Sequence, residues 1–377
     1  VAFTDKVSAD VKNILLDGFR LWSADQQNVD RPHKVNKDFS LQSAQGEMIH
    51  GRYLYGMRKY GLAEQRVDRA LELDPVLVPA LTLKSMLCLR KMEYQKAYEY
   101  ANRALAVTEY DPEANYISGQ AAMKLGKVYD AMDRFEIAAI TTDLRSAAYT
   151  RLAQIHFNCG DKELAEDYAR KSLIGNSYNV TAYRILYQIC PSEDILSELD
   201  RLDPLSHFAD AERMLAGKIT AEQLAESIKE ELDWQNYIEF AAFYYNLGLN
   251  CKAAKILDAC QTDNALISLW KAYLADDKDA VAAAENQSIE LVFPFREESA
   301  EVLAWAAANG GGWRTSYLYA MLSDFLGDKA RAAELLADDT SDYAPYYAYR
   351  ALLKGSKEDM QKASELDPKQ WRYGQHL

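Results

Sequence analysis

Gln120, Gln154 and Gln188 recur at 34-residue steps. A primary amide both donates and accepts, so a row of them can hydrogen-bond the main chain of an extended polypeptide. Four residues before them stand Tyr116, Thr150 and Arg184, and three residues after the first two stand Met123 and Phe157. Offsets of three and four keep these side chains on one face of a helix. Two earlier steps of the same register land on Arg52 with Tyr55, and on Met86. The set joins amide hydrogen bonding to adaptable apolar surface, since Met86 and Met123 tolerate several side chains beside them. The plainer reading is that glutamine is a good helix former on a wet face and that three of them aligned by chance.

Other reactive residue types are present without a pattern that gives them chemistry. His33, His50, His156, His207 and His376 are scattered, and no pair has metal-ligand spacing. His156 and Cys159 are three apart, but nothing supplies an orienting third group or an oxyanion hole. Cys88, Cys159, Cys190, Cys251 and Cys260 include no CxxC pair, so neither a zinc site nor a disulfide framework follows. Each sits in an apolar helical pattern, where a free cysteine acts as a small hydrophobe. Asn309-Gly310-Gly311-Gly312 follows a helix rather than a strand and lacks the Lys-Ser/Thr that reaches phosphate, so it reads as a connector. The run Asp338 to Asp342 lacks EF-hand spacing and reads as a solvated loop. Asn179 and Asn286 open formal glycosylation sequons, which matter only in a eukaryotic secretory pathway. No catalytic residue, metal site or cofactor is assigned.

The elements that must position the glutamine row are legible in Pro112 to Ala138, where Gly119, Gly126, Ala131, Phe135 and Ala138 fall where two antiparallel helices must touch. Stepping back reaches Gly51, Ala63, Ala70 and Pro75, and a copy with Ser85, Tyr94, Ala97 and Ala104; stepping forward reaches Ala153, Gly160, Ala165 and Ala169. The reason is steric: small residues let paired helices approach, and Pro75 cannot continue a helix because it lacks an N–H. This register resembles the tetratricopeptide repeat, whose period is 34 residues, over Ala44 to about Ser177. His50, Lys84 and Ser118 depart from it at a position that the family usually gives to leucine. The resemblance implies an all-α, right-handed superhelical array of antiparallel helix pairs, an α-solenoid of about nine or ten pairs. It also implies that Arg52, Tyr55, Met86, Tyr116, Gln120, Met123, Thr150, Gln154, Phe157, Arg184 and Gln188 line its concave groove. The Lys/Asn clamp with which some relatives hold a C-terminal carboxylate does not recur here.

Around this array the chain divides into residues 1–40, a capping helix and linker; 41–190, the regular repeats; and 191–377, degenerate helical repeats. Val7, Val11, Ile14, Leu15, Gly18, Phe19 and Trp22 have amphipathic spacing over residues 6 to 22, and Ser23 to Ser40 reads as a linker. Pro191 cuts the fifth copy short. Helices are expected over Ser192 to Leu202, Pro204 to Leu215 and Ala221 to Leu232, with a Thr220–Gln223 capping box starting the last. Repeat spacing returns at Trp234, with further pairs at Ala265 to Gln287, Trp313 to Ala337 and Pro345 to Leu366; Trp371 and Tyr373 are expected to cover the end. The segments at Tyr110 to Tyr116, Arg145 to Ala153, Phe293 to Arg296 and Trp313 to Leu322 resemble the C-terminal helical region of large bacterial proteins that also carry a mutarotase-like β-rich domain. That resemblance implies the helical part of a larger protein, in the bacterial cytoplasm or periplasm.

Hydrophobic residues make up 49% and charged residues 27%, an ordinary soluble composition. No run of about 18 uncharged apolar residues predicts a membrane span. A net charge of −14 argues against a phosphate-gripping surface, so no nucleic acid is expected. The chain starts at Val1 without a signal pattern, which reads as a mature protein or an excised fragment. The leading expectation is a non-catalytic scaffold that holds an extended peptide or partner domain in its groove. One alternative is a carbohydrate-associated accessory region, suggested by Trp305, Trp313, Tyr317, Tyr319, Tyr343, Tyr346, Tyr347 and Tyr349. The other is an enzyme with a pocket of convergent polar groups between Cys190 and Trp234.

Overall fold

The computed structural model describes residues 43–337 and 341–375. The expected capping helix, the linker and most of the acidic run Asp338 to Asp342 lie outside the described residues. Within them the chain forms 22 helices packed in adjacent pairs and no strand. Four regular pairs come first: α1 (Ala44–Gly56) with α2 (Tyr60–Leu73), α3 (Val78–Arg90) with α4 (Tyr94–Val107), α5 (Pro112–Lys124) with α6 (Val128–Ala138), and α7 (Thr142–Asn158) with α8 (Lys162–Gly175). Shorter pairs follow: α9 (Val180–Ile189) with α10 (Glu193–Leu202), and α11 (Phe208–Leu215) with α12 (Ala221–Ser227). Then come α13 (Trp234–Asn246) with α14 (Asn250–Ala259), and α15 (Ala265–Ala275) with α16 (Asp279–Ala284). The chain ends with α17 (Glu298–Ala308), the pairs α18 (Trp313–Leu326) with α19 (Lys329–Leu335) and α20 (Ala344–Lys354) with α21 (Lys357–Leu366), and α22 (Trp371–Gln375). This is the TPR-like α-solenoid that the register predicts.

The small-residue positions close the pairs by contact. A Cβ on Gly51 would lie 3.0 Å from Val67 Cγ2, and one on Gly119 would lie 2.9 to 3.0 Å from the Phe135 ring. Where the second repeat has Ser85 in place of glycine, its hydroxyl is buried and donates to the Ala97 carbonyl at 2.5 Å, which satisfies the polar atom inside the pair. Lys84, at a position where leucine is usual, reaches Asp68 at 2.5 Å and Glu64 at 3.1 Å on α2. Gly126 has a different role from the one expected. A Cβ there would meet nothing within 4 Å; Gly126 stands in the turn with φ +71°, and Arg58, Met92 and Gly160 hold the same left-handed position in their repeats at φ 59°, 60° and 83°. The next amide then closes each helix end, as Lys127 N–H does on the Ala122 carbonyl at 2.9 Å.

The later elements differ in detail from their expected bounds. The Thr220–Gln223 capping box forms, but α12 stops at Ser227. The helix expected from Pro204 begins only at Phe208, because His207 before it has φ 52° and breaks helical geometry. Asn309 to Gly312 leads into α18, whose first amides are taken by an internal anion: Arg314 N–H and Thr315 N–H donate to the Glu285 carboxylate at 3.2 and 2.9 Å. Tyr373 packs against the core, whereas Trp371 stays 62% exposed.

The core changes character along the chain. In the regular pairs it consists of small clusters, each shared between neighbouring helices, as stacking predicts. From Tyr187 to Ala363 a single cluster runs through the shorter helices, with Trp270, Tyr237, Tyr244, Tyr346 and Tyr347 fully buried in it. The aromatic set considered for sugar stacking belongs here: Trp313 faces Tyr343 and Tyr346, Tyr317 meets Tyr343, Tyr346 and Tyr349, and Trp305 packs on Tyr273.

Candidate binding groove

The face that carries the glutamine row is covered in part by the chain itself. The Gln154 amide donates to the Asn246 carbonyl at 3.0 Å, and Asn158, one turn later on α7, donates to the same oxygen at 3.0 Å. Further along, Lys124 lies 3.5 Å from Glu297 and 3.7 Å from Glu301 on the α17 side. At the far end Arg90 donates to the Phe325 carbonyl at 2.6 Å, with its guanidinium over the Tyr60 ring at 3.9 Å. The second half of the molecule thus folds back along the first and meets it in a seam from α7 to α2.

Tyr116, Thr150, Gln154 and Arg184 line one cavity of about 380 Å³ at this seam. The opposite wall comes from α13 and the segment before α17, through Glu239, Phe243, Asn246, Leu247 and Arg296. Asn179, the N-cap of α9, organises the floor: its amide donates to Thr150 Oγ1 at 2.8 Å and to the hydroxyls of Ser146 and Ser172 at 3.0 and 2.9 Å. Thr150 also donates to the Ser146 carbonyl at 2.9 Å, so its hydroxyl is fixed. Arg296 forks onto Glu298 at 3.0 and 3.1 Å. Burial pulls the Arg184 guanidinium below its usual value, with Asp203 and Glu239 acting against that.

The other predicted groove positions lie apart from this cavity. Gln188 donates to Glu212 at 2.5 Å and accepts from Lys252 at 2.6 Å, on a buried carboxylate that also takes the Tyr244 hydroxyl at 2.8 Å. Phe157 shares a neighbouring depression with Gln188. Arg52 is exposed and forks onto Glu113 at 2.8 and 3.0 Å, bridging α1 to the start of α5. Tyr55 stands edge-on to Tyr60, Met86 joins the core of the first two repeats, and Met123 joins the third; Gln120 is part-exposed between them. The His156–Cys159 pair makes no dyad: the His156 ring stacks on Tyr168 at 5.3 Å, and Cys159 is the exposed C-cap of α7.

The residues that sequence reasoning missed are Arg151, Asn179, Glu239, Asn246 and Arg296. Only Arg151 and Asn179 belong to the regular array, and the others meet it through contacts that no repeat register encodes. Replacing both Gln154 and Asn158 by leucine would strip the Asn246 carbonyl of its two donors. The expected cost is about 1–3 kcal/mol, the usual penalty for an unsatisfied polar group. Denaturant titration reads the loss, and hydrogen exchange should localise it to the end of α13 and the start of α17 rather than to α1 through α4.

No protein-family model and no curated protein matches the chain. Among solved structures, it is similar to a tetratricopeptide repeat protein from Parabacteroides merdae, at 15% identity and a TM-score of 0.41 over 74% of this chain and 99% of that one. It is also similar to YrrB, described as a TPR protein with an unusual peptide-binding site, at 17% identity and a TM-score of 0.39 over 48% of this chain and 94% of that one. A third is PilW, a type IV pilus biogenesis factor, at 18% identity and a TM-score of 0.37 over 69% of this chain and 98% of that one. Among the described residues no helix is long and apolar enough to cross a membrane.

Proposed function

We propose that this chain is a non-catalytic protein-interaction scaffold whose glutamine-bearing face holds polypeptide. The observation that carries this reading is the 3.0 Å hydrogen bond from the Gln154 amide to the Asn246 main-chain carbonyl. That is the chemistry expected of the row, performed on a segment of the chain itself. Between the seam contacts at Lys124 and Arg90, the first three repeats supply the stretch that takes a partner in trans, with Arg52, Tyr55 and Met86 leading to Gln120 and Met123. Polar heads beside adaptable apolar side chains suit an extended segment whose main chain needs partners. The resemblance to helical regions joined to a mutarotase-like domain makes such a domain one candidate partner.

A photo-crosslinking amino acid at position 120 tests this, with position 129 as the control because Tyr129 is 84% exposed on α6. The expected result, in the native host, is a discrete protein adduct from position 120 and none from 129. Absence of an adduct at 120, or the same adducts from both positions, would overturn the reading.

A further inference from the structure

Arg184 is the least satisfied cation of the cavity. Its side chain is 16% exposed, its nearest carboxylate is Asp203 at 3.8 Å, and its guanidinium lies over the Phe208 ring at 4.5 Å. Its Nε is buried without a partner, and among the described residues the guanidinium donates no hydrogen bond. A guanidinium offers five donors in a planar fork; here the Nε–H is buried and unmade, which is costly, and the terminal N–H groups are left to serve a ligand. Arg151 shares the cavity and makes one hydrogen bond, to Gln154 Oε1 at 3.1 Å. The third arginine is already neutralised, since Arg296 holds Glu298 at 3.0 Å and Glu239 at 3.4 Å. The cavity therefore has donors for an oxyanion in a mainly polar lining, and the half-buried Phe243, packed on Phe208 beside Arg184, gives it an apolar contact.

We propose that this cavity is a binding site for a small monocarboxylic acid, its carboxylate seated on Arg184 and Arg151 and its short apolar tail against Phe243. A single negative charge fits better than two, because Glu239 faces the same space and the chain as a whole carries −14. At about 380 Å³ the site lies at the small end of ligand pockets, and the Gln154 and Asn158 contacts with Asn246 close it toward the end of α7. Its size favours a small molecule over a peptide that must run past several repeats. The ligand would touch both halves of the molecule, so binding also stabilises the seam.

Isothermal titration of the full chain with butyrate, succinate, phosphate and butylammonium tests the assignment. Butyrate should bind, succinate and phosphate more weakly, and butylammonium not at all. Arg184→Gln should weaken butyrate at least about tenfold, the scale of one lost charge-assisted hydrogen bond. Should Arg184→Gln not fold by circular dichroism, Arg151→Gln, at the rim, provides the second reading and should weaken butyrate several-fold. The proposal is overturned by no butyrate binding, by undiminished binding in the folded variants, or by phosphate, succinate or butylammonium binding as tightly as butyrate.

Discussion

Phe135→Ala is expected to destabilise the protein by about 3–5 kcal/mol, the range for deleting a buried phenylalanine side chain. Phe135 is fully buried and edge-on to Tyr116 at 5.5 Å, and its ring fills the space that Gly119 leaves on α5. The paired substitution makes the test specific. In the native protein Gly119→Ala drives a methyl to within 2.9 Å of a ring with nowhere to move, an overpacking cost of about 1–3 kcal/mol. In the Phe135→Ala background the clash is gone. There the better helix propensity of alanine should stabilise by up to about 1 kcal/mol. Urea titration of the four proteins should therefore show Gly119→Ala changing sign. A constant effect in both backgrounds would mean that the two residues do not share the space.

Arg296→Met is the second large effect, expected at about 3 kcal/mol, because breaking a pair from one side strands the other charge. Glu298 has a side chain only 2% exposed, held by Arg296 and by the Asn246 amide at 2.5 Å. Burial pushes its carboxyl up, but the charge and hydrogen bonds of Arg296, with help from Asn246, hold it below its ordinary 4.5. A depressed folded-state value contributes stability above the unfolded value and loses it as pH falls through the folded one. The native seam should thus weaken on acidification below about pH 4.5. In Arg296→Met the carboxyl keeps its burial and loses its cation, so its value should rise above the ordinary one. The sign then reverses: the variant should gain stability as pH falls through that raised value toward the ordinary one. Melting temperatures across the acid range distinguish the two, and parallel profiles would show that Arg296 is not what holds Glu298 ionised.

The parts legible in the sequence were those whose partners lie within one repeat. Gly51 predicts a close approach, as does the spacing from Gly119 to Phe135, and Thr220 with Gln223 forms its capping box. Lys84 departs from the family pattern, and its compensation, through Glu64 and Asp68 one helix earlier, is visible only in three dimensions. Of the predicted groove, Tyr116, Thr150, Gln154 and Arg184 meet in one cavity because their register is regular. The opposite wall was not legible. Asn246, Glu239 and Arg296 carry no periodic mark of the helices they face, and nothing local in α13 says which surface it covers. Gln188 shows the same limit: its register places it beside Gln154, yet its amide is fixed by Glu212 and Lys252, which no 34-residue step predicts.

The seam also sets an order of assembly. Helix pairs in the regular array close loops of a few residues, whereas Gln154 meets Asn246 across 92 positions and Arg90 meets Phe325 across 235. The longer closure costs only about 0.8 kcal/mol more in chain entropy than the shorter. Contacts so far apart in sequence nevertheless form slowly, after the local ones. Stacked repeats can form from many starting points, but the two halves can dock only once both exist. The seam is then the last element to close, and under a force pulling the chain ends apart it is the first to open, leaving an extended array with its glutamine face uncovered.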